Sequence, residues 1–399
     1  MARTIDAVVA GNICFDIIPE FPRKVDSLAA ILRPGSVVEM GPATTATGGP
    51  VANTGMALQR LGASVVLNAK VGDDDFGQAV LTRLRAAGLD GTMTTVPSAQ
   101  TSHTVVLAPP GIDRMFLHHA GLNATFGVDD VRWDDVARAR VFHLGYPPLM
   151  ARMIADGGAD GGAEMTETFR RAKAAGATTS LDMSLPDAAS AAGKIDWRAI
   201  MARTLPHVDL FLPSAEEALF LFDRAECAAR AGAPDILDTF TGARMTHLSE
   251  EALAMGAGVA LIKCGHRGAY VRTAGTARLA ATLCPPSWAN RELWEPAFHV
   301  EHVAGATGSG DAAIAGFLAS LLRGLELENA LTMATAVGAC NVMAPDALSG
   351  ILDWDDTQSK VASAWKKSEL TITDTGWRWS EKGNRWHGPA DGKPPHKPL

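Results

Sequence analysis

The chain has no surplus of basic residues: 36 Lys and Arg stand against 44 Asp and Glu, for a formal net charge of -8. Nucleic acid and anionic membranes are bound through basic patches, so this balance supports neither as a partner. Cysteine is scarce as well. Cys14, Cys227, Cys264, Cys284 and Cys340 are scattered, with no CxxC pair and no metal-type cluster. Reduced thiols and a cytoplasmic location are the expectation. No apolar run is long enough to span a bilayer. A secretory signal is not expected either, because Asp6, Asn12 and Asp16 interrupt any early apolar segment. Internal repeats are absent. What is present is a chain of 399 residues, 47% hydrophobic and 20% charged, ample for a buried core.

Short runs rich in Val, Ile and Leu alternate with helical patterns, the signature of a mostly parallel sheet covered by helices. Strands are expected at Ala7–Ile13, Val65–Val71, Val141–Leu144, Thr178–Asp182, Asp209–Leu212 and Val259–Lys263. Helices are expected at Val51–Leu61, Phe76–Ala87, Glu164–Ala175, Ser214–Phe222 and Asp311–Leu322. Two stretches break the rhythm. Residues 17–47 hold prolines, glycines and short β-like runs, and Thr104–Leu107 with Arg114–Leu117 reads as a strand pair joined by Pro109-Pro110-Gly111. Together they predict a small sheet beside the main domain. Beyond about Trp365 the chain turns polar and ends in prolines. This tail is expected to be irregular, with Trp377, Trp379 and Trp386 available to pack it onto the body.

The strongest chemical feature is Gly305-Ala306-Thr307-Gly308-Ser309-Gly310-Asp311, followed at once by an apolar helix. Ile314, Phe317, Leu318, Leu321 and Leu322 share one face of that helix. Glycines where a helix begins leave amides and dipole free to bind an anion, and let phosphate approach the backbone. Asp311, in the first turn, is favoured as a carboxylate. A carboxylate beside a phosphate cradle suits phosphoryl transfer to an alcohol: it accepts the hydroxyl proton while amides stabilise the transferring charge. The plain structural alternative is a capped helix after a glycine-rich loop. Dinucleotide binding is a further alternative, but the loop lies late in the chain and lacks the long βαβ continuation. It is not a Walker A loop, since no Gly-Lys-Ser/Thr follows the glycines.

A second cluster lies near the other end. Gly48-Gly49-Pro50-Val51-Ala52-Asn53 opens a helix, Arg60-Leu61-Gly62 closes it, and Val71-Gly72-Asp73 precedes another. In this order and separation the two clusters resemble the N-terminal and C-terminal signatures of the ribokinase-like (PfkB) carbohydrate kinases, over about Val8 to Ile351. The resemblance implies a three-layer αβα domain with a mostly parallel sheet and a small β-sheet lid. The kinase domain would span 1–364, with the lid formed mainly by 13–47 and 98–125, and 365–399 the tail.

It also implies roles. Asp16, Gly48, Gly49 and Asn53 match the family's sugar-binding positions, and Asp311 its base, with amides around Gly308, Ser309 and Gly310 stabilising the transferred group. Thr307, Lys263, Gly265, Gly268 and Asn341 match the nucleotide side. Ser214 and Glu217 resemble an Asn-x-x-Glu motif that supports magnesium and phosphate, with serine in place of the asparagine, and they also read as an S-x-x-E capping box. Lys263 to Gly268 can equally be an ordinary turn before a return strand at Tyr270-Val271. ATP and Mg2+ are the implied cofactors, a sugar or nucleoside the partner, and a homodimer through the lid the implied assembly. Gly305-Ala306 replaces the family's usual Asp-Thr, which puts potassium activation in doubt. Leu283 to Phe298 is longer than the pattern expects, and could reshape the nucleotide site or cover a sheet edge. Arg23, Lys24, Arg33 and Arg114 are candidates for a phosphorylated acceptor. His118 and His119, adjacent in a strand, must point to opposite faces. A catalytically silent sugar-binding regulator is the remaining alternative.

Overall fold

In the strands of the main sheet, neighbouring residues are buried on opposite sides, which requires a core on each face. Val8, Phe142, Leu181 and Ile262 pack into one core; Ala7, Val141, Leu210 and Leu261 pack into the other. The computed structural model that shows this describes residues 3–89, 93–110, 115–155, 161–230 and 236–392. Its ten-stranded sheet runs in the order Val65–Asn68, Ile5–Gly11, Ala139–Gly145, Thr178–Asp182, Leu210–Phe211, Val259–Lys263, Ala269–Thr273, Glu292–Glu295, Arg385–His387, Arg378–Ser380. Pairing is parallel as far as Val259–Lys263 and antiparallel beyond it. Helices Pro50–Arg60, Ser309–Leu322 and Leu327–Asn341 cover one face, and Ala163–Ala174, Ala215–Phe222 and Gly242–Ala254 the other. The αβα expectation holds. No described helix is long and apolar enough to cross a membrane.

The expected strand Val65–Val71 is two strands. Val65–Asn68 joins the main sheet, while Lys70–Gly72 leaves it to pair with Thr94–Val96. Asn68 pins the break, donating to the Asp130 carbonyl (3.0 Å) and accepting from the Arg132 amide (2.8 Å). The separate small sheet is present, in the order Ala43–Gly48, Cys14–Pro19, His103–Leu107, Met115–His119. Arg114 lies outside the described residues.

The tail corrects the sequence reading. Rather than staying irregular, it adds Arg378–Ser380 and Arg385–His387 to the edge of the main sheet. Its polar residues have buried partners on the strand Glu292–Glu295. Lys367 lies 2.5 Å and Arg385 3.2 Å from Glu295, and the Ala390 amide donates to Glu292 at 2.7 Å. Trp377 fits against Tyr270 and Trp294 with ring centroids 6.1 Å apart in each case. Asp374 accepts from the amides of Gly242 and Ala243 at 2.9 and 3.2 Å, capping a body helix. Of the two uses considered for the long segment Leu283 to Phe298, it is sheet extension that Glu292–Glu295 performs.

Candidate active site

Helix Ser309–Leu322 begins on Gly308, whose φ of 73° is left-handed. A Cβ there would fall 2.6 Å from that of Ala347, so conformation and space both ask for glycine. The turn places Asp311 in the first turn of the helix, 2% exposed. Residues 305–310 in front of it, Thr307, Gly308, Ser309 and Gly310 included, remain half-exposed. A half-exposed glycine turn thus stands before a buried carboxylate, with the Ser309 amide donating to the Ala306 carbonyl at 3.3 Å.

Asp311 accepts three hydrogen bonds. Asn53 Nδ2 at 3.0 Å and the Tyr146 hydroxyl at 3.2 Å donate to Oδ2, and the Thr54 hydroxyl at 3.3 Å donates to Oδ1. Burial pushes its pKa above the ordinary carboxylate value, while Asn53, Lys263, Tyr146 and Thr54 pull it back. Lys263, at the end of Val259–Lys263, lies 2.5 Å from Asp182 Oδ1. Burial works against its charge, but Asp182, Glu217 and Asp311 hold its pKa above the usual lysine value. A Cβ on Gly310 would lie 3.6 Å from Lys263 Nζ, so the ammonium sits beside the glycine loop. His143, on the strand next to that of Asp182, is pushed down to about 3 by burial and by Lys263, and is neutral.

Ser214 and Glu217 form the capping box: the Ser214 amide donates to Glu217 Oε2 at 2.6 Å, and the Glu217 amide to Ser214 Oγ at 3.2 Å. The box lies in the site as well, because Ser214 forms a parallel bridge with Lys263. Among the described residues no three His, Cys, Asp or Glu side chains are arranged to hold a metal. A magnesium ion near Glu217 would therefore draw its other ligands from phosphate and water.

Gly48 and Gly49, expected on the acceptor side, make room for neighbouring side chains. A Cβ on Gly48 would fall 2.2 Å from Asp16 Oδ2, and one on Gly49 2.5 Å from Asn12 Oδ1. Asp16 is 6% exposed and accepts from the Cys14 thiol at 3.2 Å. Burial raises its pKa, with Cys14 and Thr104 opposing. Asn12 Nδ2, Asn53 Oδ1 and Asp182 Oδ2 are buried without a protein partner. An unpaired buried group costs about 1–3 kcal/mol, and polyol hydroxyls, both donors and acceptors, are suited to fill all three.

The two histidines face opposite sides. His119 and His103 lie 5.0 Å apart and stack toward Phe76, while His118 Nδ1 meets the Thr104 hydroxyl at 3.0 Å. Asp16, Thr104 and His118 are paired across three lid strands and so share a face. Arg23, Lys24 and Arg33 are exposed. Asn341, expected on the nucleotide side, donates from Nδ2 to the carbonyl of Ala347 at 2.6 Å, the residue that abuts Gly308. Gly265 and Gly268 shape the turn of a hairpin in which Lys263 pairs with Ala269, so the turn alternative is correct as structure. They are not part of the Asp311 hydrogen-bond cluster.

Asn12, Thr54, Tyr146 and Asp182 were missed as site residues. Asp182 had a signal, since it ends a parallel strand, where α/β sheets carry their sites. Thr54 follows Asn53 on the same helix turn. Tyr146 had none.

Known proteins resemble the chain in sequence and in fold. A family profile described as pfkB family carbohydrate kinase matches residues 9–354. A fructokinase-1 of Zea mays is 30% identical over 155 residues, 38% of this chain and 45% of its own length. A 2-dehydro-3-deoxygluconokinase of Bacillus subtilis is 24% identical over 341 residues, 82% of this chain and 89% of its own. Among solved structures, a ribokinase of Arabidopsis thaliana complexed with ribose and ATP matches with a TM-score of 0.66 at 19% identity, covering 90% of this chain and 98% of that one. A nucleoside kinase of Burkholderia thailandensis in complex with inosine matches with 0.64 at 17%, covering 91% and 100%. The chain belongs to the pfkB family of carbohydrate kinases and is a sugar phosphotransferase.

Proposed function

We propose that the chain transfers the γ-phosphate of ATP to a hydroxymethyl group of an uncharged sugar, with Asp311 as the base. The observation that carries this reading is Asp311 itself: buried, oriented by Asn53 and Thr54, and set behind a glycine turn that opens a helix. Asp16, Asn12 and Asn53 hold the acceptor, with Gly48 and Gly49 giving them space. Asp311 takes the proton of the acceptor hydroxyl. Amides of Gly308, Ser309 and Gly310, and the Lys263 ammonium beside them, stabilise charge on the transferring group. Thr307, Ser214, Gly265, Gly268 and Asn341 are the remaining residues assigned to the nucleotide, and Glu217 to magnesium; MgATP supplies the phosphoryl group.

An uncharged acceptor is supported by the lid face that carries Asp16. Among the described residues, the register places Ala46, Thr104, Val106, Phe116 and His118 beside it and no Lys or Arg. Phe116, on that same face and 50% exposed, favours a second reading in which a nucleoside base stacks there. Exposed Met40, Met115 and Leu117 on the lid support a homodimer, and five unpaired cysteines support a cytoplasmic setting. Leu117→Asp should shift a dimer to monomer by light scattering.

The test is ATP-dependent ADP release on D-fructose, D-ribose, 2-dehydro-3-deoxygluconate and inosine. Asp311→Ala should lower turnover on the preferred acceptor by about 10³-fold. Undiminished turnover in that variant would sink the mechanism, and preference for the acid would sink the uncharged-acceptor reading.

A further inference from the structure

The strand Ile5–Gly11 is where the order of the sheet reverses, with Val65–Asn68 on one side and Ala139–Gly145 on the other. Crevices beyond the strand ends at such switch points are where α/β sheets hold ligands. Tyr146, the residue after Ala139–Gly145, stands in that crevice. Its backbone, at φ 62° and ψ 46°, is left-handed, which is a genuine outlier for a bulky side chain. It also precedes Pro147, and a proline disfavours helical geometry in the residue before it. Local sequence preferences oppose the conformation twice over.

The surroundings impose it. Gly11 pairs with Gly145, a Cβ on Gly145 would fall 2.3 Å from Pro50, and the Tyr146 amide donates to the Asp182 carbonyl at 3.3 Å. The result is aim: the phenol reaches Asp311 Oδ2 at 3.2 Å. Strain of this kind persists only where it is over-determined, and it gathers at functional sites. The chain has two tyrosines. The other, Tyr270, also donates to a buried carboxylate, Glu292 at 2.7 Å, but does so from within a regular strand.

We propose that Tyr146 is the positioning residue for the base, holding the Asp311 carboxylate ionised and fixed in rotation while the acceptor hydroxyl gives up its proton. The proposal rests on Asp311 being that base. Asn53 and Tyr146 fix Oδ2 from two sides and Thr54 holds Oδ1, so the plane of the carboxylate is set before the acceptor arrives. The other charged or titratable groups around Asp311 are Lys263 and Asp182 from the main sheet and Asp16 and Cys14 from the lid. All of them remain in Tyr146→Phe, which removes one donor and nothing else.

The variant is measured by ADP release against pH with ATP and D-fructose or D-ribose. Turnover should fall about 10- to 100-fold, and the acid limb should move to higher pH, because Asp311 loses a bond that favours its ionised form. The KM for ATP should stay unchanged. A second readout needs no turnover. With 3-fluorotyrosine incorporated, the two tyrosines give two fluorine resonances, assigned by Tyr146→Phe. The Tyr146 resonance should follow the ionisation of Asp311 and stop doing so in Asp311→Asn, with Tyr270 as the internal control. An unmoved acid limb and turnover in Tyr146→Phe would overturn the proposal, as would a Tyr146 resonance blind to Asp311→Asn. So would a variant whose KM for ATP rises in step with a loss of stability. Wild-type turnover indifferent to Asp311→Ala would instead remove the base assignment, and the fluorine titration would still decide whether phenol and carboxylate are coupled.

Discussion

The molecule buries charge in two places, and the two are built on opposite terms. At the tail seam, one carboxylate, Glu295, lies between two cations, Lys367 and Arg385, and accepts from the Thr332 hydroxyl at 2.8 Å. In the active site, one ammonium, Lys263, faces three carboxylates, Asp182, Glu217 and Asp311. The seam neutralises its carboxylate and joins elements distant in sequence. The site crowds three carboxylates, each with its pKa raised by burial, around a single ammonium. A buried ion pair need not add net stability, but stranding one of its members is costly. The seam is therefore expected to be sensitive in folding, and the site sensitive in rate.

The comparison breaks most sharply at Asp311. Asp311→Asn should lower turnover by about 10³-fold, or about 4 kcal/mol, yet raise the melting temperature by about 2 °C at neutral pH. The sign follows from burial. A carboxyl whose folded pKa lies above its unfolded one penalises folding when ionised, fully above the folded pKa and not at all below the unfolded value. The gain in Asp311→Asn should accordingly vanish as pH falls. Calorimetry across pH checks this, and a variant that is less stable at every pH would refute it.

At the seam the pattern should invert. Glu295→Gln strands Lys367 and Arg385 and should cost about 3 kcal/mol of stability, read by urea denaturation, with the KM for ATP unchanged at temperatures where the fold persists. Gly308→Ala belongs to the site but acts through backbone: its φ of 73° and the contact with Ala347 predict a loss of about 1 kcal/mol and a KM for ATP about tenfold higher. The smallest effect is the wild-type pH profile. Its acid limb should lie above the ordinary carboxylate range, since burial raises Asp311, and a limb at the usual value would show that Asn53, Lys263, Tyr146 and Thr54 outweigh burial.

What could be read from the sequence divides along the same line. The helix Ser309–Leu322 was legible because glycines and an apolar period mark it locally, and only its start differs, by two residues. The residues Gly48, Asn53 and Asp311 were legible because they sit in patterned clusters. The tail strands were not. Arg378–Ser380 and Arg385–His387 are three residues each, without alternation, and what stabilises them is a pair of glutamates far away in the chain. Tyr146 was hidden for a stronger reason: local preferences argue against the conformation it adopts, so only tertiary context could reveal it. Lys263 was placed on the nucleotide side, but its partnership with Asp182 across the sheet needed the fold.

The seam also bears on how the chain comes to be folded. The strand Glu292–Glu295 leaves the ribosome well before Arg385, and at about 5–20 residues per second that interval lasts on the order of 5–20 s. Throughout it, two glutamates and an unpaired strand edge wait for their cover, and an open edge is a template for pairing with another chain. Nascent chains stalled just short of Arg385 are therefore where aggregation and chaperone engagement should concentrate.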